Sequence, residues 1–194
     1  ISETEKRLVK RNEAISEERE MGQFLSSHDE NGFLKVRLSD DLGKFLVASS
    51  LQITAKGQPV IYYGEEIGQS GKKDNFDKGI FSENRYDFDW DKIENNEILD
   101  HYKKMLKIRN AFADVFAKGV RENIYMDDEV SVFERAHGDK KLLVGLNTSE
   151  EAKDISFDYK ADGKIVDLYG NSKIRTNSNK INIKIPSRNV GGTV

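Results

Sequence analysis

The sequence predicts two architectures in succession: an α/β segment over residues 1–117, then an all-β segment over residues 118–194 that reads as an antiparallel sandwich. Three observations carry that reading. Helical stretches alternate with short apolar runs up to about Phe116. Beyond it the rhythm changes to period two, as in Ile181, Ile183 and Ile185 against Asn182 and Lys184. Turn signals then recur at Asp127-Asp128, Gly138-Asp139, Asp162-Gly163 and Gly170-Asn171.

Residues 3–20 are polar with few breakers and predict a mostly exposed helix, with Leu8, Val9 and Ile15 facing inward and Gly22 stopping it. Gln23 to Leu25 predicts a short buried strand that ends in the polar cluster from Ser26 to Gly32. Leu42 to Lys56 predicts a helix. Leu42, Phe45, Leu46, Ser49 and Ile53 line one face, Asp40 or Asp41 caps it, and Gly57 stops it. The continuous apolar run from Pro59 to Tyr63 predicts a fully buried strand of a parallel sheet. A long polar loop covers about 69–95, and a loop of that length inside a domain is usually functional. Ile98, Tyr102, Met105, Arg109 and Phe112 then set a helix over 97–116, ended by Gly119. Strands are expected near 121–126, 130–136, 140–147, 152–158, 164–168 and 180–185.

Composition removes several classes of function. The chain carries 31 Lys+Arg against 34 Asp+Glu, a net charge of −3 with no basic block, so bulk attraction to nucleic acid or an anionic membrane is not expected. No apolar run is long enough for a membrane-spanning helix. The absence of cysteine excludes disulfides, thiol catalysis and Cys-ligated zinc. The chain opens ISETEKRLVK without an initiator Met and closes SRNVGGTV, and both ends are expected to be cuts through a longer protein.

Single motifs are weak. In Phe24-Leu25-Ser26-Ser27-His28-Asp29 a strand delivers a His and an Asp to its carboxyl end, where parallel α/β folds place their chemistry. A His-Asp phosphohydrolase would need an earlier His, and His28 is the first. A phosphate loop fails because Glu66 and Lys73 stand where Gly and Ser or Thr are required. Asp87, Asp89 and Asp91 suggest Ca²⁺, but an EF-hand counted from Asp87 meets Lys92 and Ile98 at its Gly and Glu positions. The plainer expectation there is a loop pinned by Trp90 packing and an Arg85 ion pair. His101 and His137 are expected to be solvated. Asn147-Thr148-Ser149 fits a glycosylation sequon.

The order of the motifs is more specific than any one of them. FLSSHDENGF, a helix, GQPVIYYGEEIG, NRYDFDW, ILDHYKKMLKIRNAF and a β module follow one another. This succession closely resembles the C-terminal part of the α-amylase clan, glycoside hydrolase family 13. The resemblance implies that residues 1–117 are the C-terminal fragment of a (β/α)8 TIM barrel, with FLSSHD at the end of strand seven and PVIYYGEE as strand eight. It implies that residues 118–194 are the family's β-sandwich domain C, capping the barrel helices through Val132, Leu143 and Val144.

Family resemblance also implies a retaining α-glucan hydrolase acting on starch, maltodextrin or pullulan, with α-1,4 and α-1,6 specificity both open. Asp29 would be its third catalytic carboxylate, stabilising the transition state, and His28 would bind the same sugar. Nothing before Phe24 resembles the nucleophile or the general acid, so this segment alone is expected to be inactive. The SSHDEN stretch departs from relatives that have Asn before the His and Arg after the Asp, which leaves the specificity unassigned. No cofactor is expected in this segment, while the full-length enzyme could hold Ca²⁺. The expected partners are an α-glucan, the remainder of the barrel, and a second copy through exposed barrel surface. An extracellular or cell-surface location is expected. The alternatives are a non-catalytic homologue of these enzymes, or a carbohydrate-binding or structural module.

Overall fold

The computed structural model describes residues 2–15, 19–71, 84–161, 163–177 and 179–193. Parts of the expected first helix (16–18), of the long loop (72–83) and of the turn at Asp162 lie outside them.

Helix α1 (Ser2–Ala14) ends earlier than its composition suggests. Its inward group is Glu5, which pairs with Arg121 through two hydrogen bonds of 2.5 and 2.7 Å. Val9 is exposed, since no described element covers it, which corrects the inward placement expected for it. Strand β1 (Gly22–Gln23) pairs in parallel with β2 (Gln58–Pro59). Both are shorter and more open than the apolar runs predicted, for Phe24, Val60 and Tyr63 are exposed. A parallel strand is buried only where neighbouring strands and helices cover both faces, and this described sheet has two strands. Between the strands come a π-helical turn at Phe33–Arg37 and helix α2 (Leu42–Thr54). Asp41 is the cap, its carboxylate accepting from the Lys44 N–H at 3.0 Å. Gly57 follows the helix at a positive φ of 99°, where a Cβ would lie 2.3 Å from the Met21 carbonyl oxygen, so glycine is required there.

Asn96 caps helix α3 (Glu97–Ala111), accepting from the Ile98 and Leu99 N–H groups. The single helix expected over 97–116 breaks at Phe112 (φ −127°, ψ 40°), and α4 (Ala113–Lys118) continues in a new direction against the sheet.

The remaining strands are β3 (Val120–Met126), β4 (Val130–His137), β5 (Lys140–Asn147), β6 (Lys153–Asp158), β7 (Lys173–Asn177), β8 (Lys180–Ile185) and β9 (Asn189–Thr193). They form two antiparallel sheets, ordered β3-β4-β5-β9 and β6-β8-β7. The run at 164–168 is not a strand. Asp167 turns its carboxylate onto the Gly170 and Ser172 N–H groups (2.8 and 2.7 Å), which holds a turn instead. Val130, Val132, Leu143, Ile155, Phe157, Ile181, Ile183 and Ile185 fill the space between the sheets. The opposite face of β4 and β5 presents Phe133, Leu142, Val144 and Leu146 to Phe45, Ile53, Tyr102, Met105 and Phe116 of the helices. Val132 and Leu143 therefore face the second sheet, and only Val144 of the three expected residues meets the helices. Adjacent strand residues point to opposite faces. Asn147 is fully buried and donates to the carbonyls of Glu151, Ile185 and Pro186, so the sequon is a structural tie.

His101 is also a correction. It is 4% exposed, at the junction of α2, α3 and the 167–172 turn. Ser49 and Ser50 hydroxyls lie 3.0 and 3.3 Å from Nε2 and both donate to the Leu46 carbonyl, so they accept from an Nε2–H. Nδ1 then accepts from the Tyr169 hydroxyl at 2.7 Å. Lys104, stacked over the Tyr169 ring, adds a like charge. Burial first, and then Lys104, push the imidazole down to about 4. A depressed histidine stays neutral in the fold while the unfolded chain takes up a proton below its ordinary pKa of 6.5. Stability should therefore fall as pH drops from 6.5 towards 4, by roughly 3 kcal/mol for this group. His101→Gln should flatten that limb in urea titrations at pH 7 and 4.5. An unchanged pH dependence in the variant would remove His101 as its source.

Candidate functional site

Three segments meet beyond the carboxyl ends of β1 and β2: the turn 26–31, the segment 62–67 and the stretch 84–92. Asp29 is the point at which they converge. Its Oδ2 lies 3.0 Å from His28 Nε2, and its Oδ1 accepts from Arg85 Nη2 at 2.8 Å. Its backbone N–H donates to Ser27 Oγ at 3.2 Å, which holds the turn. Asp29 is nevertheless 65% exposed, so a carboxylate oriented by an imidazole and a guanidinium still faces solvent. The expected Arg85 ion pair exists, and its partner is the candidate site residue, 56 positions away in the chain.

Beside this triplet Tyr62, Tyr63 and Tyr86 form a ring cluster with centroids 4.7, 5.4 and 6.4 Å apart. Tyr62 and Tyr63 donate their hydroxyls to the carbonyls of Asn84 (2.7 Å) and Tyr86 (2.5 Å). Burial, followed by the neighbouring Tyr63, pushes the Tyr62 phenol up to about 12, and burial also raises Tyr86. Both rings are therefore neutral donors at physiological pH. Gln69 clasps the same stretch, donating to the Asp87 carbonyl (2.6 Å) and accepting from the Asp89 N–H (3.0 Å). The stretch is pinned by these polar contacts and by tyrosines. Trp90 does not pin it: it is 73% exposed and meets Phe88. Asp89 pairs with Lys92 at 3.4 Å. Among the described residues no group of three or more acidic, His or Cys side chains is close enough to hold a metal ion.

The floor of the site is polar and buried. Gln52 of α2 donates to the carbonyls of Gln23 (3.2 Å) and Val60 (3.1 Å), so one amide ties the ends of both strands. Glu65 lies beneath the turn and accepts from the Tyr102 hydroxyl at 2.8 Å. Neither the tyrosine cluster nor the Gln52 bridge was identified from sequence. Each uses ordinary residue types joined across long separations.

In the β half the aromatic side chains turn inward. Phe133, Phe157 and Tyr169 are buried, and Tyr125 and Tyr159 are half-buried with hydroxyls bonded to Asp127 and Glu134.

Residues 2–95 match the family described as alpha amylase, catalytic domain. A cyclomaltodextrinase of Geobacillus thermopakistaniensis is 29% identical over 167 residues, which cover 84% of this chain and 27% of that protein. An amylopullulanase of Thermoanaerobacter thermohydrosulfuricus is 31% identical over 144 residues, covering 69% of this chain and 9% of its own length. The crystal structure of an alpha-amylase from H. orenii superposes with a TM-score of 0.72 at 26% identity, over 88% of this chain and 38% of that one. The chain thus spans well under half the length of these relatives.

Proposed function

The chain belongs to the α-amylase family, and from that premise we propose that it supplies part of the active site of an α-glucan hydrolase: Asp29 as transition-state stabiliser and His28 as sugar ligand. The observation that carries this reading is the Asp29 carboxylate, held on one oxygen by His28 and on the other by Arg85 while remaining open to solvent. A carboxylate fixed in this way has lone pairs left for two sugar hydroxyls. Its negative charge lies where an oxocarbenium-like transition state develops positive charge, and because it is already oriented, no reorganisation is needed at the moment of reaction. His28 adds a donor that does not compete as a nucleophile.

In this reading residues 1–117 contribute strands seven and eight of the barrel and residues 118–194 form domain C. The nucleophile and general acid come from outside these residues, and the remainder of the barrel covers Phe24, Val60 and Met21. The inward-turned aromatics of the β half speak against a separate sugar-stacking module there.

The test is a polypeptide that ends in this chain and carries an upstream barrel, assayed for reducing ends from starch, maltodextrin and pullulan. Cleavage with retention at the anomeric carbon is expected. No cleavage of any of the three, or inversion, would sink the reading. The 194-residue chain alone should release nothing, and turnover by it would overturn the division of the site.

A further inference from the structure

Glu65 is 2% exposed, in the 3₁₀ turn Glu65–Ile67 that follows β2 after residues 60–64, and none of the described salt bridges reaches it. A buried carboxylate without a cation is costly, and one that persists is normally neutral or fully hydrogen-bonded. Here Oε1 accepts from Tyr102, while Oε2 completes no hydrogen bond. Gln52 of α2 and Ser26 of the site turn face the same carboxyl, Ser26 with both its hydroxyl and its backbone N–H. Gln52 has spent its amide N–H groups on Gln23 and Val60, and its own Oε1 is a second buried acceptor without a donor. Two acceptors lacking donors thus belong to one cluster at the root of the turn that bears His28 and Asp29.

We propose that Glu65 is a positioning residue that docks Ser26 onto the ends of β1 and β2, and through Ser26 sets the His28–Asp29 turn. It acts as a neutral acid, whose O–H is the donor that the buried Gln52 Oε1 otherwise lacks. Burial pushes the carboxyl up and outweighs the contacts from Tyr102, Ser26 and Gln52, which favour the charged form. Among the described residues the titratable groups around it are Tyr102 from α3 and Tyr86 from the 84–92 stretch, both held neutral by burial, and the neighbouring Glu66, whose charge acts on the same two tyrosines. The link to catalysis rests on the function proposed above, but the docking itself does not.

The test has one arm that needs no substrate. In the 194-residue chain, Glu65→Ala should speed hydrogen exchange at the Ser26 to Asp29 amides by about tenfold beyond its effect on global stability. Glu65→Gln, which restores a neutral donor of the same shape, should return them to within about threefold. Tyr102→Phe should leave them unchanged. A ¹³C titration should find the Glu65 carboxyl titrating above the ordinary glutamate range. If Glu65→Ala lowers stability but leaves these amides unaltered, or if the Gln variant behaves as the Ala variant does, Glu65 is only a core residue. In the longer polypeptide Glu65→Ala should lower kcat on maltotriose more than it raises KM, with rescue by Gln. If Asp29→Asn there has no effect while the amide result holds, the functional reading fails and the docking stands.

Discussion

Asp29→Asn, made in the longer polypeptide, should lower kcat on maltooligosaccharides by about 10²- to 10³-fold while KM changes far less. The amide keeps the shape and the hydrogen bond from Arg85 but loses the charge that, in the role proposed for Asp29, meets the developing oxocarbenium. A loss confined to the transition state appears in kcat. The fold should not notice the change. Asp29 is mostly exposed and its ion pair with Arg85 is a surface contact, so unfolding should shift by no more than about 0.5 kcal/mol. His28→Ala should cost less, because the sugar contact proposed for the imidazole would be made in the ground state as well. Steady-state kinetics beside a urea melt separates the two effects. A kcat within tenfold of the parent would mean that Asp29 is a loop residue satisfying its neighbours and nothing more.

The largest structural effect is expected at Arg135. Its side chain is 0% exposed, on β4, and spans three elements. Nη1 donates to the Thr54 carbonyl at the end of α2 (2.9 Å). Nη2 donates to Val115 and Phe116 in α4 and to Gly119 beyond it, at 3.2, 2.9 and 2.8 Å. Those of Thr54, Phe116 and Gly119 are carbonyls of the kind that a helix end leaves without partners, at the negative pole of its dipole, while Val115 also accepts from the Gly119 N–H at 3.0 Å. Arg109 does the same from α3, reaching Ile53 and Gly57. Burial, with Arg121, Arg109 and Arg11 nearby, pulls Arg135 down to about 9, which still leaves it charged at neutral pH. Arg135→Met would fill much of the volume and strand the carbonyls of Thr54, Phe116 and Gly119. The expected loss is about 3–5 kcal/mol, a large share of a typical domain's stability. Arg135→Lys should recover only part of it, because an ammonium cannot reproduce the planar fork that serves both helix ends. Urea unfolding measures both. A Met variant within 1 kcal/mol of the parent would show that water reaches these carbonyls.

Elements with strong periodicity were legible in the sequence. The buried positions of α3, the alternation of β8 and the hairpin turns at Asp127-Asp128 and Gly138-Asp139 came through because the signal is local and repeats. Strand β7 (KIRTN) carries no such pattern and lies at a sheet edge with little to bury. It is a strand only because β8 offers it a partner. Phe112 reads as a continuing helix and breaks it, since α4 must turn to present its carbonyls to Arg135. His101 looked like a surface residue because its partners are 51, 52 and 68 positions away.

The candidate site divides along the same line. The sequence by itself determined the α/β-then-β succession, the order of motifs that points to the family, and the pair His28 and Asp29 at a strand end. The net charge of −3 and the missing cysteines set aside other classes. Only the tertiary structure decided that Arg85 belongs to Asp29, that Tyr62, Tyr63 and Tyr86 wall the site, and that Gln52 and Glu65 form its floor. The physical reason is separation along the chain. Periodicity and capping report interactions between residues a few positions apart. A charge pair, a ring cluster or a buried hydrogen bond forms only where folding brings distant segments together, and no local pattern encodes which partner will arrive.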